Sequence, residues 1–355
     1  MKNPFRLPRV LQTAVLICTA ANALGQGGLT PAGPPAPGMK TLTQIEPRTP
    51  IQSLPGDAIN QYIISQPGSY YLTDSIAGVS GKTCIYISAP HVTIDLNGFE
   101  LAGTGGGGSA GAITGPSPSC AVSNGWIHDW PSGGIVFFGA HCRIENVLAE
   151  NCKGGILVGD ESVVSDCVAS QNGDVGIQVG FHSIVAHCAA NGNGSGIYLH
   201  LASVASDCTA SDCGGTGFTM NNFCSAINCA STGNTTGFNP AYSTVVNCSA
   251  CLNSGNGFIL IDSCLIQNCT IALNGSAGMG HGIYTDGTGN RIDGNHIFGN
   301  MGYGLQIEAN GNFVFRNTLA ENGANISVTG TNLVGPIITT AADLATAGPW
   351  ANFAP

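Results

Sequence analysis

The sequence predicts an all-β protein that consists of a single right-handed parallel β-helix of about 10 or 11 coils, with a cap at each end. Glycine accounts for 52 of the 355 residues, and only 8% of the residues are charged, where about 25% is typical. Glycine disfavours a helical bundle, because it costs about 1 kcal/mol per helical position relative to alanine. The strongest observation is a repeat of 20–22 residues, which is the signature of a solenoid.

Residues 1–23 have the features of a secretory signal peptide. Three basic residues precede an apolar run that ends near Ala21, and Ala21-Asn22-Ala23 offers small residues at a cleavage site. The apolar run is shorter than the roughly 20 residues that a membrane span needs. We therefore expect no membrane span, and export to a secreted, cell-surface or periplasmic location.

Two segments separate the signal peptide from the repeats. Residues 24–38 form a Gly/Pro-rich linker, and residues 39–84 are predicted to be an N-terminal cap. Within this cap, residues 61–76 predict two short strands around the Pro67-Gly68 turn. Cleavage after Ala23 leaves seven basic residues against 20 acidic ones, a balance that excludes nucleic acid as a partner.

The β-helix is predicted over residues 85–326, where four columns recur in phase. In the first column an apolar residue follows Gly, or Asn in the last repeat, and is expected to fill the interior. Its members are Ile135, Ile156, Ile177, Ile197, Phe218, Phe238, Phe258, Ile283, Leu305 and Ile326. Short β-branched pieces between turn residues favour strands, and the absence of a six-residue sub-period argues against a left-handed hexapeptide helix.

The other three columns consist mainly of serine, asparagine and cysteine. One runs from Val147 through Cys167 to Asn317, one from Asn151 through Asn172 to Asn322, and one from Ser162 to Asn312. Stacked coils place equivalent residues about 4.8 Å apart, so the asparagines are expected to form hydrogen-bonded ladders. These columns are therefore interpreted as architecture.

The 15 cysteines are predicted to be mostly free, buried thiols. Neighbours in a ladder point the same way, which is poor geometry for a disulfide. Local bridges between Cys248 and Cys251, or between Cys208 and Cys213, remain alternatives. A row of thiols also lacks the convergence that a tetrahedral metal site needs, and no metal site is predicted.

Residues 327–355 are predicted to cap the C-terminal end of the helix. The repeat pattern stops after Asn332, and the remaining segment ends in GPWANF. An open coil end must be covered to prevent edge-to-edge pairing with other chains. Trp350 and Phe353 are expected to act as apolar plugs over the last coil.

Several motifs resemble a known family. DLNG at 95–98, GNRIDGN at 289–295 and the Gly-Ile period are similar to the right-handed parallel β-helix repeats of the pectate-lyase-like superfamily. The segments PAPGMKTLTQIEPRTPI, QPGSYYLT and GPWANF resemble a group of secreted bacterial β-helix proteins. The resemblance covers residues 36–355. It implies the fold, but the superfamily includes lyases, hydrolases, epimerases, phage spikes and adhesins, so it does not select an activity.

One candidate catalytic site precedes the cysteine column. Asp166, His187 and Asp207 lie on three consecutive coils, which puts the two aspartates about 10 Å apart. Side-chain lean would bring the carboxyls into the separation of roughly 6.5–9.5 Å found in inverting glycosidases, with His187 as an acid or base. The alternative is a plain polar row, because the column continues as asparagine.

A second patch is a candidate ligand-binding surface. Gln178, Tyr198 and Thr219 occupy one outward strand face, and His182 and His200 lie in the following turns. An exposed tyrosine flanked by polar groups can stack on a sugar ring. The alternative is an ordinary exposed face.

A weaker catalytic candidate is His281. Gly280-His281-Gly282 resembles the GHG element of polygalacturonase-like glycoside hydrolases, and Arg291-Ile292-Asp293 resembles their RIK element. The paired carboxylates that such enzymes place across the scissile bond are missing from the family positions. The resemblance therefore makes His281 a catalytic candidate without its carboxylate partners at the family positions.

These observations leave three hypotheses for function. The first is a secreted protein that recognises a polysaccharide along one face of the helix, the second is a polysaccharide hydrolase or lyase, and the third is a non-catalytic surface rod or adhesin. No cofactor is predicted. Calcium at Asp160-Glu161, the only adjacent acidic pair, remains an alternative.

Overall fold

Three parallel β-ladders wind around one apolar core and form a parallel β-helix. The computed structural model describes residues 47–105, 110–278 and 280–355, with only the backbone of Thr346. The coils belong to one unit, Arg48–Pro355. The predicted signal peptide, the linker and residues 39–46 of the predicted cap lie outside the described residues.

Each complete coil has three faces that meet at three corners. Face 1 is a 13-stranded parallel sheet. Its strands are Asn60–Ile64, Thr83–Ile87, Ile113–Gly115, Gly133–Phe137, Gly154–Val158, Val175–Val179, Ser195–Leu199, Thr216–Met220, Thr236–Pro240, Phe258–Leu260, Ile283–Thr285, Tyr303–Ile307 and Ala324–Val328.

Faces 2 and 3 together make a 26-stranded sheet. Two long strands, Ala121–His128 and Arg143–Glu150, run through both faces. The other strands of face 2 are Thr49–Pro50, Gly68–Tyr71, Val92–Asp95, Val163–Ser165, Ile184–Ala186, Val204–Ser206, Ser225–Ile227, Thr244–Val246, Leu265–Gln267, Arg291–Asp293, Phe313–Phe315 and Leu333–Val334. Those of face 3 are Ile76–Ala77, Glu100–Ala102, Val168–Ser170, Ala189–Asn191, Thr209–Ser211, Ala230–Thr232, Ser249–Cys251, Thr270–Ala272, His296–Phe298, Thr318–Ala320, Ile337–Ile338 and Asn352–Phe353. Two 3-10 helices, Ile51–Ser53 and Ala341–Thr346, complete the described elements.

The predicted apolar column forms the core inside face 1. Ile156 pairs with Ile177, and Ile197 pairs with Phe218, in successive strands. Three phenylalanines continue the column as a near-parallel stack, with ring centroids 4.8 Å and 4.9 Å apart. The stack consists of Phe218, Phe238 and Phe258.

The three corners carry the predicted ladders. At many corners the side chain accepts a hydrogen bond from the backbone N–H of the corner residue one coil earlier, as Ser183 Oγ does from Ser162 (3.0 Å) and Asn193 Oδ1 from Asn172 (2.9 Å). The ladder predicted at Asn151 is shifted by one residue. Asn151 is exposed, whereas Cys152 is buried and donates its N–H to Asn172 Oδ1 at 2.9 Å.

The β-helix has more coils than the 10 or 11 expected, because parallel pairing begins inside the predicted N-terminal cap. Asn60–Ile64 already pairs in parallel with Thr83–Ile87, and the strand after Pro67-Gly68 pairs with Val92–Asp95. Tyr62 holds the position of the interior column and pairs with Ile85, where the predicted β-helix begins. Tyr62 does not follow a glycine, so the Gly-Ile signature misses this coil.

The C-terminal segment does not plug the helix in the way expected. The Trp350 side chain is 51% exposed, whereas Asn352 is fully buried. Asn352 Oδ1 accepts hydrogen bonds from the N–H and the side-chain amide of Asn317, each 3.0 Å long. The segment extends an asparagine ladder by one more residue, because polar corner groups at the coil end need partners as much as the apolar interior does.

All 14 cysteines in the described part of the chain are free, and 13 of them are buried. Neither of the two alternative local bridges is formed. Across the same residues, no helix is long and apolar enough to cross a membrane.

Candidate functional site

The outward positions of face 1 form the floor of a groove. Strands alternate their side chains, so the residue after each interior Ile or Phe points outward. Gln178 pairs with Leu157 on one side and with Tyr198 on the other, and Tyr198 pairs with Thr219. Of the five predicted ligand residues, three therefore stand in one row.

The walls of the groove are the turns on either side of the face 1 strands. Two adjoining open cavities of about 650 Å³ and 300 Å³ share Val136, Phe138, Leu157 and Gln178. The larger extends towards Lys153 and Asp174, and the smaller towards Asp160, Phe181 and His200. We call this combined depression the face 1 groove.

His200 is the centre of a polar and aromatic cluster at the groove wall. Its Nε2 lies 3.3 Å from Gln178 Nε2, and its Nδ1 lies 3.5 Å from Asn221 Nδ2. The ring lies 4.8 Å from that of Tyr198 and 5.8 Å from that of Phe181. Asn221 Nδ2 also donates to the Tyr198 hydroxyl at 3.2 Å. The cluster joins predicted residues to two that the sequence reasoning missed, Phe181 and Asn221.

His182 does not join this cluster. It has a left-handed backbone (φ 55°) at the corner between faces 1 and 2, where its side chain is exposed. Histidine, asparagine and aspartate tolerate this conformation better than most residues. The turn that brings Phe181 to the groove directs the next residue away from it.

The groove is nearly neutral. Lys153 Nζ lies 4.0 Å from Asp174 Oδ2, so the cation at one wall has an acidic neighbour. Asp160 at the other wall accepts the N–H of Phe181 through Oδ1 at 2.8 Å. The remaining floor and wall groups named above are apolar, aromatic or uncharged polar groups.

The predicted Asp166, His187 and Asp207 row lies on the exposed corner between faces 2 and 3. All three residues have left-handed backbones, with φ of 55°, 53° and 54°. His187 Nδ1 is 3.7 Å from Asp166 Oδ1, and both side chains are more than half exposed. Asp207 instead accepts a hydrogen bond from Asn228 at 3.2 Å. The structure brings together two of the three groups, on a convex edge.

His281 lines another open cavity on face 1, of about 460 Å³, together with Tyr284. The N–H of Tyr303 donates to His281 Nδ1 at 2.9 Å, so the proton of the neutral ring resides on Nε2. Burial lowers the pKa of His281. Nearby, the Tyr284 hydroxyl donates to Glu308 Oε2 at 3.0 Å, and burial followed by this contact raises the tyrosine pKa. Tyr284 and Glu308 were not predicted from the sequence. They lie in neighbouring coils, and the number of residues between them matches no motif that would indicate a contact.

Residues 110–245 match the family described as "Right handed beta helix region". The A-module of the mannuronan C-5 epimerase AlgE4 from Azotobacter vinelandii is similar over 76% of this chain and 91% of its own, with 18% identity and a TM-score of 0.55. The chain has a right-handed parallel β-helix fold.

Other solved structures share this β-helix. The AlgE6 A-module from the same organism has a TM-score of 0.57 at 15% identity, over 81% of this chain and 90% of its own. A Dettilon tailspike protein has a TM-score of 0.51 at 14% identity, over 74% of this chain and 62% of its own. None of the curated proteins matches the sequence significantly. These identities establish the fold alone.

The acidic pair considered for calcium faces two different partners in the β-helix. Asp160 accepts the N–H of Phe181, whereas Glu161 Oε2 lies 3.3 Å from His141 Nδ1. Within residues 47–105, 110–278 and 280–355, no group of three His, Cys, Asp or Glu side chains is placed to hold a metal ion.

Proposed function

We propose that this β-helix binds a polysaccharide along the face 1 groove. The observation that carries the proposal is the row of outward groups on consecutive coils, joined to the aromatic wall formed by Phe181 and His200. Successive coils are about 4.8 Å apart, so a sugar polymer lying along the axis meets a new set of side chains at every coil. Aromatic rings stack on sugar faces, while Gln178 and Asn221 supply hydrogen bonds.

The charges of the groove favour an uncharged polymer. Mannuronan, the polymer in the names of two structural neighbours, is a polyuronate with one carboxylate per sugar. Lys153 at the groove wall has Asp174 beside it, and Asp160 adds a further negative charge. Because like charges oppose binding of an anionic polymer, we expect neutral polysaccharides to bind more tightly than polyuronates.

The test compares the exported chain, beginning at Leu24, with two groove variants by affinity electrophoresis on a panel of neutral and uronate polysaccharides. Phe181→Ala and Tyr198→Ala each remove a ring, and we expect roughly a tenfold loss of affinity from a lost stacking surface. Phe313→Ala on face 2 is the matched control, since Phe313 is 41% exposed and Phe181 is 44% exposed.

Retention of wild-type binding by both groove variants would place the ligand elsewhere on the molecule. Absence of binding to every polymer would favour the third hypothesis, a surface rod without a saccharide ligand. A preference for polyuronates over neutral polymers would contradict the charge argument alone and leave the groove in place.

A second candidate function is catalysis on the same class of polymer, and the Asp166–His187 contact of 3.7 Å is the observation in its favour. The polymer panel, with and without calcium, is incubated with the protein, and released oligosaccharides are detected by mass spectrometry. Unsaturated ends indicate a lyase and saturated ends a hydrolase. Asp166→Ala and Asp207→Ala should then abolish release, and His281→Asn tests the other cavity.

We also propose that the chain is exported after cleavage at Ala23. The basic residues and short apolar run of residues 1–23 support this proposal. N-terminal sequencing of the protein recovered outside the cytoplasm should begin at Leu24. Retention of Met1 in the recovered protein would refute cleavage.

A further inference from the structure

A buried aspartate holds two arginines on face 2, away from the face 1 groove. Asp293 has no exposed side-chain surface. It accepts hydrogen bonds from Arg291 Nη2 at 2.8 Å and Nε at 3.2 Å, and from Arg316 Nε at 2.7 Å. The pKa of Asp293 is lowered, chiefly by its hydrogen bond with the Arg316 guanidinium. Burial raises it, and Arg291 lowers it further. The carboxylate is therefore ionised and fixes both guanidinium groups.

The cluster carries one more positive than negative charge. Arg291 and Arg316 share one carboxylate, and their side chains are 48% and 45% exposed. In the described part of the chain, the Nη1 of neither arginine donates a hydrogen bond to another protein atom. Elsewhere Arg143 lies 3.1 Å from a carboxylate of its own, that of Glu145, and Lys153 lies 4.0 Å from that of Asp174. The two Nη1 groups without a protein acceptor thus belong to half-exposed side chains, on a locally cationic spot of an acidic protein.

Arg316 adopts an unfavourable backbone conformation to reach this position. Its φ is 58°, the left-handed value of the corner column that contains Asp166, His187 and Asp207. That column uses short polar side chains or glycine at other coils, and a left-handed conformation costs a long side chain on the order of 1 kcal/mol or more. Arg316 is therefore the exception within this column, and from this position its guanidinium reaches Asp293.

An apolar cavity adjoins the cationic spot. It has a volume of about 470 Å³ and is lined by Arg291, Phe315, Leu333, Pro336 and Trp350, among others. The Trp350 ring is half exposed, packs edge-on against Phe315 with centroids 5.6 Å apart, and lies 5.7 Å from the Arg316 guanidinium carbon. Cation, exposed aromatic surface and apolar wall therefore meet at one place.

We propose that this cavity binds an organic acid that carries a ring. Its carboxylate accepts hydrogen bonds from the free Nη1 groups of Arg291 and Arg316, a pairing that guanidinium geometry favours. Its ring lies against Trp350 and Phe315, where an apolar or CH-rich face is stabilised. An aromatic acid and a uronic sugar share this chemistry. The site is independent of the face 1 groove and of the proposed polysaccharide function.

The experiment uses benzoate and D-glucuronate as probes, with benzyl alcohol and D-glucose as their uncharged counterparts. Binding to the chain from Leu24 is measured by calorimetry and by saturation-transfer NMR. Arg291→Gln and Trp350→Ala are compared with Arg143→Gln and Trp126→Ala, which alter an exposed arginine and a partly exposed tryptophan elsewhere. In Arg291→Gln the buried Asp293 still has its ion pair with Arg316. In Trp350→Ala the lost ring is an exposed one, so both variants retain the contacts of the core.

We expect at least one acid to bind, with roughly tenfold weaker binding in either site variant and unchanged binding in both controls. Raising the salt concentration should weaken binding, because exposed charges are screened. Binding of benzoate alone identifies an aromatic acid, and binding of glucuronate alone identifies an acidic sugar. Failure of both acids to bind, equal binding of the uncharged counterparts, or wild-type binding by Arg291→Gln and Trp350→Ala would overturn the proposal.

Discussion

At the scale of single residues, corner side chains stabilise the coils because they form hydrogen bonds with backbone groups of the neighbouring coils. Asn274 is fully buried. Its Oδ1 accepts hydrogen bonds from the backbone N–H of Asn253 at 3.0 Å and from the side-chain amide of Asn253 at 2.9 Å. Its own Nδ2 donates to Ala250 O at 2.9 Å and to Asn300 Oδ1 at 2.8 Å. One side chain therefore ties three coils together.

Asn274→Ala should lower the free energy of unfolding by about 1–3 kcal/mol, because it leaves buried donors of Asn253 without an acceptor. Denaturant titration of the variant measures the change. Asn191→Ala is the matched control, since Asn191 is only partly buried and its Oδ1 accepts from the Ser211 hydroxyl. Equal losses in the two variants would mean that the corner ladder contributes no more than a surface contact.

His281 gives a residue-scale prediction about pH. Burial lowers the pKa of His281 in the folded protein. At pH values between that pKa and the ordinary value of about 6.5, the unfolded chain therefore binds more protons than the folded chain. Stability must then fall as pH falls through this interval. His281→Asn keeps an acceptor for the Tyr303 N–H and removes the titration, so its unfolding free energy should change less between pH 8 and pH 5. The exposed His296 serves as the control, and a wild-type pH profile in His281→Asn would contradict the prediction.

At the scale of the elements, a glycine before the interior residue in most coils sets how closely face 1 strands approach the corner ladder. A Cβ at Gly237 would collide with the carbonyl oxygen of Gly257 and would lie 3.0 Å from Asn253 Nδ2. The backbone and the ladder leave no room there, which explains why a glycine precedes the interior phenylalanine. The spacing of glycines is therefore a packing requirement of the stacked strands.

Gly237→Ala should destabilise the protein by about 1–3 kcal/mol, as expected for overpacking against groups that cannot move aside. The melting temperature of the variant measures the effect. At Gly348 a Cβ would meet nothing within 4 Å, so Gly348→Ala is the control and should melt close to the wild type. An unchanged melting temperature in Gly237→Ala would show that the neighbouring coil adjusts freely.

The same elements show how far the sequence alone predicts this molecule. The interior column and the corner columns could be predicted, because stacking requires the same kind of side chain in each coil. Asn151 was assigned to a ladder in place of Cys152, since both residue types occur in that column and only the backbone direction distinguishes them. The groove wall at Phe181 and the cavity at Trp350 could not be predicted, because each depends on how a turn or terminal strand lies against coils distant in sequence.

At the scale of the whole molecule, each coil contacts mainly its neighbours, so the stack depends on every layer being filled. Cysteine serves this purpose because it is small and apolar and its sulfur still accepts a hydrogen bond. Cys248 Sγ, for example, lies 3.2 Å from the backbone nitrogen of Cys229. Serine and asparagine do the same at equivalent corners, and the column can therefore change residue type without changing the coil.

This role predicts the reactivity of the thiols. Burial raises the pKa of Cys84 to about 12 and that of Cys269 to about 11, so these two thiols form few thiolates near neutral pH, and the thiolate is the reactive species. Thirteen of the 14 thiols in the described residues are also buried, which keeps a reagent from reaching them. In the folded protein a thiol reagent should modify at most about one cysteine, the half-buried Cys251. In denaturant without reductant, the chain that begins at Leu24 should present all 14 thiols. Fewer than about four free thiols would mean that disulfides link the coils, although parallel ladder neighbours have poor geometry for a disulfide. The cysteine column would then hold the coils together by covalent bonds and not by packing.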